Sequence, residues 1–322
     1  MNTAIILAGA HVWKSDSLEY AYPRLLWPVA NTPLVEHILV WLAETRVRTV
    51  MICANNATRA LRLHLREPAS HGLDIRYYED RLPRGPAGCA SDAAAIVPAD
   101  HYVVLDGSVV PALDLGALLD FHEQADAAVT IVVDGAPLGP DDLQRESTPT
   151  DIYVFAAHAL RQVPATGYRD IKEMLIPQLH DSGARIMTYL AERHCPRING
   201  LESYFVVQDW MLDRIRRGDV AAAEYVRSNG TYLHAAARVA GTARFLGPVM
   251  VGPQTRIGDG AMIVGPTVIG SRCTIGRGSV IGRCVLWDDC QVGTRARLEQ
   301  CLVTSGSSIE PGAVDVGSVC CS

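Results

Sequence analysis

Lysine is almost missing from this 322-residue chain: of 29 basic residues only Lys14 and Lys172 are lysines. A mechanism that needs a compact ammonium at a phosphate therefore has two candidates, and every other cationic contact falls to a planar guanidinium. A basic patch is missing too, because the arginines are scattered and the formal net charge is −6. That balance excludes a nucleic-acid backbone as the expected partner. No stretch approaches the ~18 consecutive apolar residues of a membrane span, and the opening Ala4-Ile5-Ile6-Leu7-Ala8 run lacks a basic leader. No membrane partner is expected, and the cytoplasm is the expected compartment. No C-x-x-C pair occurs among nine cysteines, an odd total, so neither a zinc site nor a disulfide framework is expected.

What is present in abundance is a repeat. From Val239 to Ile281 a bulky apolar residue returns every sixth position, through Phe245, Val251, Ile257, Ile263, Ile269 and Ile275. Thr255, Ala261, Thr267, Cys273 and Ser279 each stand four residues after an anchor and are small. A period of six fits neither a helix nor a plain strand, so each hexad must be a short strand and a corner of a stacked solenoid. The pattern is that of a left-handed parallel β-helix, with large residues filling the prism and small ones, cysteines included, at the corners. The register slips by one after Ile281, resumes at Leu286, Val292 and Leu298, slips again to Val303 and ends at Ile309.

Upstream, strand and helix patterns alternate. Residues 3–9 read as a buried strand, Val35, Ile38, Leu39 and Leu42 as the apolar stripe of a helix opened by Thr32-Pro33, and Thr49–Cys53 as the next strand. Further strands are expected at Ile75–Tyr78, Tyr102–Leu105, Ala128–Val133, Ile152–Phe155 and Ile186–Tyr189. Such alternation predicts an α/β, Rossmann-like domain with a mixed, mostly parallel sheet. The expected organisation is an α/β domain over 1–205, a helical linker over 206–235 with its helix stopped by Gly218, and the β-helix over 236–322.

Several segments then resemble the sugar-phosphate nucleotidyltransferases. Ile5–Ala10 is similar to their opening strand and glycine-rich loop, Pro23-Arg24-Leu25-Leu26-Trp27-Pro28-Val29 to P-K-P-L-x-P-V, and Pro83–Gly88 to P-L-G-T-A-G. Val103–Ser108 resembles L-x-G-D, and Asp151-Ile152-Tyr153-Val154-Phe155 resembles G-I-Y-V-F. The resemblance implies attack of a sugar-1-phosphate on the α-phosphate of a nucleoside triphosphate, giving an NDP-sugar and pyrophosphate, with Mg²⁺ as cofactor. It implies nucleotide contacts from Leu7, Ala8, Gly9, Lys14, Gly85 and Ala87, catalytic roles for Arg24, at a phosphate, and Asp106, and a metal held by Asp106 and Asn199. Surface-polysaccharide synthesis is the setting the family implies.

The departures fall on the chemistry. The phosphate loop keeps one glycine, Gly9, of the several that let backbone wrap an anion. The metal carboxylate of L-x-G-D is Ser108, with Asp106 two residues earlier on the same face of the strand. The aspartate of D-I-G-T-P-E is Arg197, although Ile198-Asn199 fits a V-N pattern of some members. The sugar motif E-K-P has no counterpart in Asp134–Thr150. Two readings follow: a divergent, weakly active nucleotidyltransferase, or a non-catalytic homologue that binds a nucleotide or NDP-sugar and regulates or scaffolds an active paralogue. The β-helix would form a homo-oligomer or join that paralogue. Acyl transfer in the solenoid is disfavoured, since His234 precedes it and no histidine follows.

Overall fold

The computed structural model describes residues 2–8, 18–65, 71–79, 83–135 and 148–321. These form two compact units, one of residues up to Trp27 and Pro33–Ile198, the other of Pro28–Thr32 and Asn199 onward.

The first unit is built on a seven-stranded sheet. Its order is Asp74–Tyr78, Val47–Cys53, Asn2–Leu7, His101–Asp106, Thr148–Ala156, Val129–Asp134 and Ile186–Ala191. All neighbours run parallel except Thr148–Ala156, which is antiparallel to both of its partners. The central strands carry near-continuous apolar runs, with Ile5, Ile6, Val50, Ile52, Val103 and Val104 fully buried. That is the pattern of strands covered on both faces. Helix Leu34–Ala43 buries the expected stripe of Val35, Ile38, Leu39 and Leu42. The Pro83–Gly88 segment leads into helix Gly85–Ile96, with a proline in its first turn.

One consequence of the reversed strand sets up the site. Thr148–Ala156 registers Ile152 opposite Leu105, so Asp151 arrives beside the carboxyl end of His101–Asp106. In a mostly parallel sheet that is the end where ligands bind.

The second unit opens with helix Leu201–Arg217, closed by Gly218 in the left-handed conformation (φ +86°) as the sequence predicts. Where the sequence suggests a helical linker over 206–235, the chain past this helix forms two strands. Tyr225–Ser228 and Thr231–His234 make a hairpin, and Thr231–His234 pairs in parallel with Val249–Val251 as part of the solenoid wall. Three stacked parallel sheets then form a β-helix. Val251 pairs with Ile269, eighteen residues on, whereas Ile269 pairs with Leu286, seventeen on. The register slip seen in the sequence is therefore one corner shortened by a residue, after Ile281 and again after Leu298.

Inside, Val251, Ile257, Ile263, Ile269, Ile275, Ile281, Leu286 and Val303 are buried in one cluster with Ala261, Cys273, Cys284 and Cys290. The small polar positions satisfy their own groups: Thr255 Oγ1 donates to the Gly270 carbonyl at 2.7 Å and accepts from the Cys273 N–H at 3.0 Å. At the flank, buried Trp287 donates from Nε1 to Tyr204 Oη at 3.0 Å, and Tyr204 Oη donates to the Pro28 carbonyl at 2.5 Å.

Candidate active site

The carboxyl ends of Asn2–Leu7 and His101–Asp106 lie side by side, with Leu7 in register with Asp106. The Gly107 N–H donates to the Leu7 carbonyl at 2.9 Å, and the Ala8 N–H to the Cys53 carbonyl at 2.9 Å. A Cβ on Gly107 would stand 3.2 Å from a Leu25 methyl, so the tight Arg24–Leu26 turn packs against this strand end. Leu7, Ala8 and Asp106 lie at this strand end, and Arg24 precedes Leu25 in the turn packed against it. Gly9 and Lys14 lie outside the described residues, as does most of the Asp134–Thr150 stretch.

Gly85 and Ala87 stand at the first turn of helix Gly85–Ile96, and their groups are engaged within the unit. Gly85 has φ +76°, and an added Cβ would lie 2.5 Å from the Arg169 carbonyl. The Ala87 N–H donates to that carbonyl at 3.0 Å, and the Arg169 N–H donates to Arg84 O at 2.7 Å. The glycine is needed for close approach of one backbone segment to another.

The chemistry concentrates beyond Asp106. One carboxylate oxygen of Asp106 accepts from the Ser108 N–H at 2.8 Å and from Ser108 Oγ at 2.5 Å. Its other oxygen faces Arg197 Nη2 at 3.4 Å. Arg197 is fixed from its own backbone: it bridges to Val109, and the next N–H, of Ile198, donates to the Ser108 carbonyl at 2.9 Å. Its Nε donates to Ser108 Oγ at 3.4 Å, and its Nη1 donates to Asp151 Oδ2 in a short contact.

Asp151 completes the cluster. Its Oδ1 accepts from Tyr153 Oη at 3.0 Å and meets Lys172 Nζ at 2.6 Å. Burial pushes the Tyr153 phenol well above its ordinary range, so the hydroxyl remains a donor to this carboxylate. Asp151 also holds φ +63°, a left-handed backbone that a non-glycine residue adopts only at a cost. Where the family's G-I-Y-V-F strand has glycine, this chain sets a charged side chain on a backbone that suits glycine.

Do these residues fit a divalent metal? Mg²⁺ asks for near-octahedral oxygen ligands. Asp106 already accepts two bonds from Ser108 and faces a guanidinium, and Asp151 is engaged by Arg197, Lys172 and Tyr153. An arginine does not deprotonate in a protein, so its positive charge is permanent. Among the described residues no group of three or more His, Cys, Asp or Glu side chains converges for a metal. The donor set does not fit Mg²⁺ as it stands. Asn199, the other expected ligand, opens the second unit, where its N–H donates to Ser203 Oγ at 2.8 Å.

Sequence reasoning reached Asp106 and marked Arg197 as a departure, but missed Asp151 and Lys172 as members of the site. Two signals were available: Asp151 sits where the matched motif has glycine, and Lys172 is one of only two lysines in the chain.

Comparison with known proteins agrees with this architecture. Residues 3–140 match the nucleotidyl transferase family profile, and residues 245–321 match the profile of the GMPPB C-terminal domain. A mannose-1-phosphate guanylyltransferase of Mycobacterium tuberculosis is 24% identical over 278 residues, 80% of this chain and 77% of its own length. A UTP–glucose-1-phosphate uridylyltransferase of Synechocystis is 24% identical over an alignment of 351 positions, covering 97% of this chain and 90% of the relative. Translation initiation factor eIF2B subunit epsilon of Schizosaccharomyces pombe is 25% identical over 163 residues, 47% of this chain and 24% of its own. Residues 3–140 thus match a nucleotidyl transferase domain, and the two long matches are to sugar-1-phosphate nucleotidyltransferases, a family whose chemistry uses a divalent metal. Among the described residues no helix is long and apolar enough to cross a membrane.

Proposed function

We propose that this chain binds a nucleoside triphosphate or NDP-sugar at the carboxyl ends of the first unit's strands, and that it turns sugar-1-phosphate and nucleotide over slowly. The observation that carries the reading is Arg197, fixed between Asp106 and Asp151 where metal-dependent transfer needs free carboxylate oxygens. Arg24 is assigned to a phosphate, and Leu7, Ala8, Gly9, Lys14, Gly85 and Ala87 to the nucleotide. A Mg²⁺ on Asp106 would first have to displace a guanidinium. Loss of one charge-stabilising group in a transfer reaction costs about 3 kcal/mol, or ~10²-fold in rate.

A second role is supported by the same observation: a slow nucleotide-binding member serving, through its β-helix, as the regulatory partner of an active paralogue in the cytoplasm. The relative named as a translation-factor subunit is consistent with the fold working in an assembly.

The test is direct. Purified protein with Mg²⁺ and a panel of nucleoside triphosphates and sugar-1-phosphates should bind nucleotide in calorimetry while releasing pyrophosphate at a small fraction of the rate of the guanylyltransferase relative. Brisk Mg²⁺-dependent release that Asp106→Ala abolishes would overturn slow turnover.

A further inference from the structure

The cluster at the sheet end holds two carboxylates, Asp106 and Asp151, and two cations, Arg197 and Lys172. Their formal charges cancel. Two carboxylates with a divalent cation between them reach the same balance, so this chain arrives with its own side chains at the charge a metal would otherwise bring. The cations are also presented rather than buried: the Arg197 side chain is 27% exposed and Lys172 46%, while Asp151 beneath them is 10% exposed. Arg197 contacts Ser108, Asp106 and Asp151 through Nε, Nη2 and Nη1, and a guanidinium has more N–H donors than those three contacts engage. The remaining donors, with the lysine ammonium, form a fork and a point charge, the two shapes that hold phosphate oxygens.

The positioning is over-determined. Arg197 is clamped by backbone bonds on both sides, with Val110 N–H donating to Pro196 O and Ile198 N–H to Ser108 O, each at 2.9 Å. Asp151 keeps its left-handed backbone, a cost that persists when the surroundings enforce it. Because the arginine is held by the chain itself, its charge is in place before any ligand arrives, with no ion to recruit.

We propose that Arg197, braced by Asp151 and accompanied by Lys172, is a built-in cation standing in for a divalent metal, so that the site takes the phosphates of a nucleotide without one. This rests on the nucleotide-binding reading above and adds to it the independence from metal.

Two measurements on the full chain test it. In the first, Mn²⁺ alone is titrated and free ion is followed by electron paramagnetic resonance. Wild-type protein should take up none at this site, and Arg197→Asp, which exchanges the cation for a carboxylate, should take up one equivalent. Uptake of one Mn²⁺ by wild type that Asp106→Asn removes overturns the proposal. In the second, UTP and GTP are titrated calorimetrically in EDTA and in Mg²⁺. Wild-type affinity for the preferred nucleotide should be the same in both buffers. Arg197→Gln should weaken it in EDTA by about tenfold or more, as expected for a lost charged hydrogen bond. The double variant Asp151→Asn/Arg197→Gln removes the cation together with its buried partner, and should show the same loss with an unshifted melting curve. Binding that requires Mg²⁺ overturns the metal substitution alone and leaves nucleotide binding standing. Binding in EDTA that the folded double variant retains also overturns it, and no binding in either buffer overturns both readings.

Discussion

Replacing Ile269 by alanine should cost the β-helix about 4 kcal/mol, and the structure shows where that figure comes from. Ile269 is fully buried and stacks in register between Val251 of the preceding turn and Leu286 of the next. The substitution removes a branched butyl side chain down to a methyl, a transfer loss of about 2.4 kcal/mol at ~0.8 kcal/mol per buried carbon. The cavity adds to it, because the surrounding wall is a ladder of hydrogen-bonded strands that cannot collapse inward; buried Ile→Ala changes span about 2–5 kcal/mol. The backbone at this point is also tied, with the Ile269 carbonyl accepting from Gly252 N–H at 2.8 Å and Asn31 Nδ2 at 3.0 Å. Ile309, in the last turns and 8% exposed, provides the internal comparison, since its neighbourhood can relax toward solvent. Hydrogen exchange read by mass spectrometry in increasing urea, peptide by peptide over residues 245–321, separates the solenoid from the α/β unit. Equal costs at Ile269 and Ile309, or a cost under about 1 kcal/mol at Ile269, would refute a dry, rigid prism as the source of stability.

Acid should weaken the α/β unit through His122, whose imidazole is fully buried against Thr130 Oγ1 at 2.8 Å and held by burial down at about 4 from its ordinary 6.5. The unfolded chain takes up that proton first, so the contribution is complete above pH 6.5 and is lost as pH falls toward 4, by about 3 kcal/mol. Urea midpoints at pH 7 and pH 5 should differ less in His122→Gln than in wild type, and an unchanged difference would remove His122 as the cause. Gly85→Ala should destabilise the same unit by about 1–3 kcal/mol, because it forces a side chain onto φ +76° and against the Arg169 carbonyl. A melting temperature within a degree or so of wild type would show that the helix entry shifts freely.

The solenoid was legible because a period of six leaves no other fold, and even its register slips can be placed from sequence: the anchors after Ile281 and Leu298 arrive one residue early, and a corner there is one residue shorter. The mixed sheet was legible from strand–helix alternation. What sequence did not show is the wall strand Thr231–His234, whose four residues precede the clean hexads and pair with a strand eighteen residues on. The charged cluster was only half legible. Asp106, Asp151, Lys172 and Arg197 are far apart in the chain, and only the antiparallel insertion of Thr148–Ala156 beside His101–Asp106 brings the two carboxylates together. Strand direction is a tertiary outcome that local pattern does not encode.

The stacking of the β-helix sets a rule for how its length can change. Past the opening hairpin, each wall strand pairs with the strand one full turn before and after it, as Val249–Val251 does with Thr231–His234 and Thr267–Ile269. Cutting out residues 249–266 whole would therefore bring Thr267–Ile269 onto Thr231–His234 with the side-chain rows still matched, inward to inward. Removing nine residues would turn every later row onto the wrong face. Insertions and deletions here are quantised by the turn, so the solenoid can grow or shorten as a column of coins does while its cross-section stays the same.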